Sequence, residues 1–244
     1  MPSLPAFATA LSATLLAGCV ATPDRPAAAM PVTWTVDVPA VTHPAGETTT
    51  WWYRSGASRA AVNGAMDGRA KNVIVFVGDG MSMTTVTAAR ILDGQREGKP
   101  GEEHLLSWEH FPHTAFAKTY NTDSQTPDSA GTMTAIATGV KSHMGAIGVS
   151  AGNRRDCADS LDKHLLSWLR LADDAGLASG IVTTTRLTHA TPAALYAHSP
   201  DRNWESDGVL PAHGHAAGCR DIAQQLLDFP QGRGLGVALG GGRA

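Results

Sequence analysis

The sequence is short of cysteine, of excess charge and of long apolar runs, and each shortage removes a class of protein. Its 3 cysteines are too few for a disulfide scaffold and too scattered for a four-cysteine zinc module. Lys+Arg 19 against Asp+Glu 22 leaves a net charge of -3, so there is no electrostatic footing for general binding to nucleic acid. The apolar stretch at the N-terminus is shorter than the roughly 20 residues of a membrane-spanning helix. The 26 glycines come in short groups without a period, which excludes a collagen-like chain. No internal repeat is visible. What is present is a 244-residue chain with 43% hydrophobic residues, enough for a core and too apolar for a wholly disordered protein.

Residues 3 to 18 carry no charge, are rich in Ala and Leu, and end on small residues. That pattern predicts a secretory signal over 1–18. Leu16-Ala17-Gly18-Cys19 resembles a bacterial lipobox, in which the cysteine thiol is acylated before cleavage. The expected product is exported to the periplasm or cell envelope and held to the membrane by lipid on Cys19. Residues 19–50 are Pro-, Ala- and Thr-rich and read as a tether, with the folded part over 51–244. At the other end, the apolar run Leu235–Leu239 enters Gly240-Gly241-Gly242-Arg243-Ala244. A strand leading into a glycine turn normally delivers the chain to another element, so the fold is expected to be cut there.

Between the ends, apolar runs alternate with helical patterns. Lys71–Val77 is a β-branched run with continuous apolar residues, which predicts a strand buried on both faces of a parallel sheet. Ser82–Glu97, Ser129–Thr138 (closed by Gly139), Leu161–Ala175 and Asp221–Phe229 read as helices, and His113–Tyr120 and Ile181–Thr185 as strands. The alternation predicts an α/β domain with a doubly wound, mainly parallel sheet flanked by helices.

Ligands in such sheets bind beyond the carboxyl ends of the strands. Three stretches carry polar residues there. Gly78-Asp79-Gly80 puts a carboxylate between glycines, suited to a metal or phosphate or to capping the next helix. Asp128-Ser129 stands at a helix start, where the dipole favours an anion or a nucleophilic oxygen, and where either side chain could instead cap. Thr183–Arg186, His189, Thr191, His198 and Arg202 crowd hydroxyls, imidazoles and guanidinium groups at one strand end, and an Arg can grip phosphate with its planar fork. His213 and His215 offer two nitrogens without a third ligand and read as a solvated loop.

Taken in order and spacing, several stretches resemble the alkaline phosphatases, above all the animal-type branch. They include Asn72–Met81, Asp128–Thr132, Val182–Arg186, His189–Ala193, Tyr196–His198, Arg202–Trp204 and Leu239–Arg243. The resemblance implies hydrolysis of phosphomonoesters through a phosphoserine, with two Zn²⁺ and one Mg²⁺. It assigns Ser129 as nucleophile, Arg202 as the phosphate grip with Asp128 placing it, and Asp79 as a bridge between the second zinc and the magnesium. By the same resemblance Thr191 is expected to be a magnesium ligand. His189 stands where enterobacterial members carry Asp, exchanging a hard anionic oxygen for a softer donor. The resemblance also implies a disulfide between Cys157 and Cys219.

The expected partners are phosphomonoesters and inorganic phosphate, with no nucleic acid. A homodimer and a lipid anchor at Cys19 complete them. The family's further Asp, Glu and His metal ligands follow the Gly-Gly-Gly-Arg stretch, so the chain as it stands is expected to be an inactive N-terminal half. Two alternatives stay open. A sulfatase or phosphodiesterase would share the metal layout, although a sulfatase needs a Cys/Ser-x-Pro-x-Arg stretch where this chain has Asp128-Ser129-Ala130-Gly131. A lipoprotein that binds phosphate without turnover is the non-catalytic one.

Overall fold

Six of the eight α-helices among the described residues start where an oxygen-bearing side chain closes the first turn. Thr48 caps α1 (Thr49–Val62) and Ser82 caps α2 (Met83–Arg96), accepting from the Trp51 and Thr85 amides. Asp128 caps α3 (Ser129–Thr138), Asp156 caps α4 (Cys157–Ser160) and Ser167 caps α5 (Trp168–Asp174). Strand β1 (Ser179–Arg186) follows, then the short helices α6 (Ala190–Ala193) and α7 (Ala212–Ala217), α8 (Ile222–Asp228) capped by Asp221, and β2 (Leu235–Gly241). This computed structural model describes residues 48–65, 70–152, 155–229 and 234–242. The expected signal 1–18, Cys19 and the tether up to residue 47 lie outside the described residues, as do Arg243 and Ala244. Helix α1 begins at Thr49, inside the stretch read as tether.

The architecture is α/β with a parallel pairing. Among the described residues β1 and β2 form a two-stranded sheet, with Ile181 opposite Ala238, Val182 opposite Leu239 and Arg186 opposite Gly241. The main core gathers Ala130, Met133 and Ala137 of α3, Leu169 of α5, Ile181 of β1, Ala190–Ala197 around α6, and the fully buried Ile147 and Ile222. The alanines on α3 and α6 let those helices approach closely, which brings the start of α3 near the end of β1. A second cluster holds Cys157, Trp204 and Leu210. There Cys157 and Cys219 form the expected disulfide, with Cα atoms 5.8 Å apart.

Several sequence expectations are met. Helices α2, α3 and α8 and strand β1 fall where predicted, and Gly139 closes α3 at φ 77, a left-handed conformation glycine adopts freely. Others need correction. Asn72–Val77 is not a buried strand: it makes no strand pairing, and Phe76 is 89% exposed. A strand buried on both faces needs a neighbour at each edge and a layer on each face, and among the described residues β1 and β2 are the only strands that pair. His113–Tyr120 likewise runs without strand pairing and is exposed up to residue 119. The helix expected over Leu161–Ala175 starts only at Trp168, because the Ser167 hydroxyl accepts from the Arg170 amide and donates to the Leu195 carbonyl. Before it, His164 bridges to Val149. Leu165 and Leu169 are both buried, which is why the periodicity looked helical throughout. Strand β2 is formed but not buried, since it has one partner and Leu239 is 60% exposed.

Candidate active site

The start of α3 settles which residue caps and which is left for chemistry. Asp128 is the cap: its Oδ1 accepts from the Gly131 amide at 3.1 Å. The same oxygen accepts from the Gly145 amide and from Asn121 Nδ2, each at 3.1 Å. A side chain at Gly131 would collide with Asn121, its Cβ 2.7 Å from Oδ1, so glycine is needed for that approach. Ser129, the first helical residue, is thereby released from capping. Its Oγ accepts from Arg202 Nη1 at 2.9 Å, and the same nitrogen donates to Asp128 Oδ2 at 3.0 Å.

Burial pushes the Asp128 carboxyl pKa up, but the Gly145 and Gly131 amides, Arg202 and Asn121 together outweigh it and hold it below the usual value. Asp128 is therefore a fixed anion orienting Arg202. The Arg202 backbone is tied down as well. Its amide donates to the Gly145 carbonyl at 2.8 Å. The preceding residue, Asp201, is buried and accepts from Arg155 Nε at 2.8 Å and from the Asn203 amide at 3.0 Å.

The other guanidinium nitrogen, Nη2, lies 3.0 Å from His189 Nε2. An Arg N–H can only donate, so Nε2 accepts and the imidazole proton is assigned to Nδ1. Burial and the Arg202 charge lower the His189 pKa, against the opposing pull of Asp79, which agrees with a neutral ring. His189 Nδ1 is buried without a hydrogen-bond partner and lies 4.0 Å from Asp79 Oδ2. Thr191 Oγ1 donates to that same carboxylate oxygen at 2.9 Å. Asp79 is not a helix cap, since Ser82 caps α2.

The structure thus brings Asp79, Asp128, Ser129, His189, Thr191 and Arg202 into one chain of contacts. An aspartate oxygen and a threonine hydroxyl are hard donors that fit Mg²⁺. His189 joins them through Nδ1 only once its Nε2 is free of Arg202, because a neutral imidazole has one lone pair. Zinc is a poorer fit: among the described residues no group of three or more His, Cys, Asp or Glu converges on one point.

A cavity of about 140 Å³ opens beside Asp128 and Arg202, lined also by Met144, Arg155 and Asn203. A larger one, about 200 Å³, runs along Leu165–Arg170 and Tyr196–His198 and holds none of the expected site residues. His198 sits there, stacked on His164 with Nε2 donating to the Leu165 carbonyl at 2.9 Å. His213 and His215 lie exposed on α7. Sequence reasoning missed Asn121, Gly145 and Glu205. Only Glu205, close behind Arg202-Asn203-Trp204, had a nearby signal.

A family model described as alkaline phosphatase matches residues 70–244. The chain is 56% identical over 176 residues to a tissue-nonspecific alkaline phosphatase of Gallus gallus, covering 71% of this chain and 33% of that one. It is 54% identical over 175 residues to the tissue-nonspecific enzyme of Homo sapiens, with the same coverage. The chain therefore spans about a third of the length of these curated relatives. Among solved structures it is similar to an alkaline phosphatase of Thermus thermophilus at 25% identity and a TM-score of 0.46, covering 72% of this chain and 41% of that one. From the family match and these identities, the chain belongs to the alkaline phosphatase family.

Proposed function

We propose that the chain supplies the serine nucleophile and the phosphate-gripping arginine of a metal-dependent phosphomonoesterase that works through a phosphoserine. One observation carries this reading: a single nitrogen, Arg202 Nη1, donates to both Ser129 Oγ and the Asp128 carboxylate. A guanidinium anchored on one side by an anion and on the other by a hydroxyl is placed to hold a phosphoryl group against that hydroxyl.

In the proposed reaction Ser129 Oγ loses its proton to solvent and attacks phosphorus. The Oγ–P bond forms as the ester P–O bond breaks, and the electron pair leaves with the alcohol oxygen, which takes up a proton. Arg202 exchanges its contacts with Ser129 and His189 for phosphate oxygens while Asp128 keeps hold of it, and the start of α3 adds its dipole. Water then attacks phosphorus and gives up a proton, the Oγ–P bond breaks with its electron pair returning to Oγ, which takes up a proton, and inorganic phosphate is released. Asp79, Thr191 and His189 would hold Mg²⁺, and Asp79 with Ser129 would contribute to a zinc site. When bound, the ions supply Lewis-acid stabilisation of the serine oxygen and of the phosphoryl charge.

The same donor set bounds the activity. With so few zinc ligands converging among the described residues, the chain alone is expected to hold zinc weakly and to turn over little. The test is p-nitrophenyl phosphate turnover at alkaline pH with Zn²⁺ and Mg²⁺. It compares the chain alone with the chain fused to the remaining length of its Gallus gallus relative. The fusion is expected to be active, to lose most of kcat with Ser129→Ala, and to lose phosphate affinity more than kcat with Arg202→Ala. Strong turnover by the chain alone would overturn the zinc argument, and an unimpaired Ser129→Ala fusion would overturn the serine assignment.

A further inference from the structure

We propose that Glu205 is a positioning residue for Arg202 and His189, acting through a carboxylate clamp on the end of β1. The inference rests on the reading of Arg202 as the phosphate grip. Glu205 accepts from Arg186 Nε at 2.8 Å and Nη2 at 2.6 Å, a two-pronged pair, and from Thr188 Oγ1 at 2.6 Å. Arg186 is the last residue of β1, and its backbone is fixed by the pairing with Gly241. Thr188 directly precedes His189, whose amide donates back to the Arg186 carbonyl at 3.0 Å. On the other side, Glu205 lies three residues beyond Arg202 in the same loop. That loop is bolted to the start of α8, because the Trp204 and Glu205 carbonyls accept from the Ile222 and Ala223 amides.

Two links therefore run in parallel between the same two segments. One is the Arg202–His189 contact, which must break and re-form as phosphate comes and goes. The other is the Glu205 clamp, which touches none of the site groups and can stay closed throughout. A permanent link beside an exchanging one keeps the guanidinium and the imidazole in register when their own contact opens. Displacements on the scale of about 1 Å at such a site carry large penalties. The clamp also offsets the Arg186 charge.

The test is Glu205→Gln in the 244-residue chain, with Arg170→Gln, which breaks the Arg170–Asp174 pair on α5, as a control for loss of an ion pair. Two quantities are read: the Kd of inorganic phosphate by calorimetry, and the Arg202 Nε–H resonance, assigned by its loss in Arg202→Lys. Glu205→Gln is expected to raise the phosphate Kd about tenfold and to shift or broaden the Arg202 resonance even without phosphate. Arg170→Gln should change neither. An unchanged Kd together with an unchanged resonance overturns the proposal. If the parent chain binds no phosphate, the phosphate-grip reading falls, and the Arg202 resonance alone still decides for or against the clamp. If Glu205→Gln does not fold, Thr188→Val removes one of the clamp's hydrogen bonds and decides in its place, an unmoved Arg202 resonance overturning the proposal.

Discussion

Removing the Asp128 side chain tests the site at its most connected atom. Asp128→Ala deletes the cap of α3, a loss of about 1 kcal/mol. It also strands the Gly145 amide and Asn121 Nδ2, which now donate to Oδ1, at about 1 kcal/mol each. The expected destabilisation is thus about 3 kcal/mol, which lowers Tm by about 6–12 °C in a domain of this size. Asp128→Asn keeps an acceptor at Oδ1 and the shape of the cap, so it costs only about 1 kcal/mol, but it turns an amide toward Arg202. Its larger effect is expected on phosphate binding. The pH dependence has a fixed sign. The folded-state pKa is lowered, so the carboxylate contributes stability that is present above its unfolded value, near 3.9, and is lost as pH falls through the folded value. Denaturant unfolding with the disulfide intact, at pH 6 and at pH 3, should show the gap between parent and Asp128→Ala narrowing in acid. A gap below about 1 kcal/mol at pH 6, or one that does not narrow, would refute the claim that Asp128 is a charged hub.

Two further outcomes rest on the structure and one on the sequence. Burial, with the charge of His164 adding to it, lowers the His198 pKa from 6.5 to about 4 against the opposing Leu165 hydrogen bond. The neutral ring therefore contributes stability above pH 6.5 that is lost as pH falls through about 4, up to about 3 kcal/mol, and His198→Gln should flatten that part of the stability–pH curve; equal slopes in both proteins would contradict it. Reducing the Cys157–Cys219 bridge, which closes a separation of 62 residues, should cost about 3 kcal/mol in denaturant unfolding, and a midpoint unmoved by reductant would rule that out. Intact-mass spectrometry of membrane-extracted protein should find Cys19 as an acylated N-terminus, whereas a mature end elsewhere without lipid mass would exclude the lipobox reading.

The legible parts of this chain are those whose signals are local. Ser82, Asp128 and Asp221 each satisfy an amide a few residues away, so those helix starts could be read from single residues. Asn72–Val77 shows the opposite case. Its apolar pattern states what the segment would gain from burial, and says nothing of whether another strand stands beside it. The Leu165–Leu169 spacing misled for a related reason: both side chains enter the core, but a hydroxyl between them restarts the backbone. In the site, residue types at a strand end or helix start could be nominated from sequence, because hydroxyl, carboxylate and guanidinium chemistry is readable from type. Asn121, Gly145 and Glu205 could not, since their roles exist only through partners from 7 to 19 residues away in the chain.

What distinguishes this cluster from an ordinary polar loop is the way one guanidinium is shared. Arg202 is part-buried, and the cost of ordering so long a side chain is met by four ties: Asp128, Ser129, His189 and its own amide on Gly145. Only the Asp128 tie joins it to an anion kept charged by backbone amides, so it is the contact that resists exchange. The Ser129 and His189 contacts are to neutral groups and are weaker. An entering phosphate would displace the weak pair, keep the strong one, and meet a guanidinium already ordered. Little conformational entropy is then left to lose on binding. A surface arginine of the same exposure, free of Asp128, would lose that advantage, so in the proposed reaction the pair Asp128-Ser129 carries more than either residue alone.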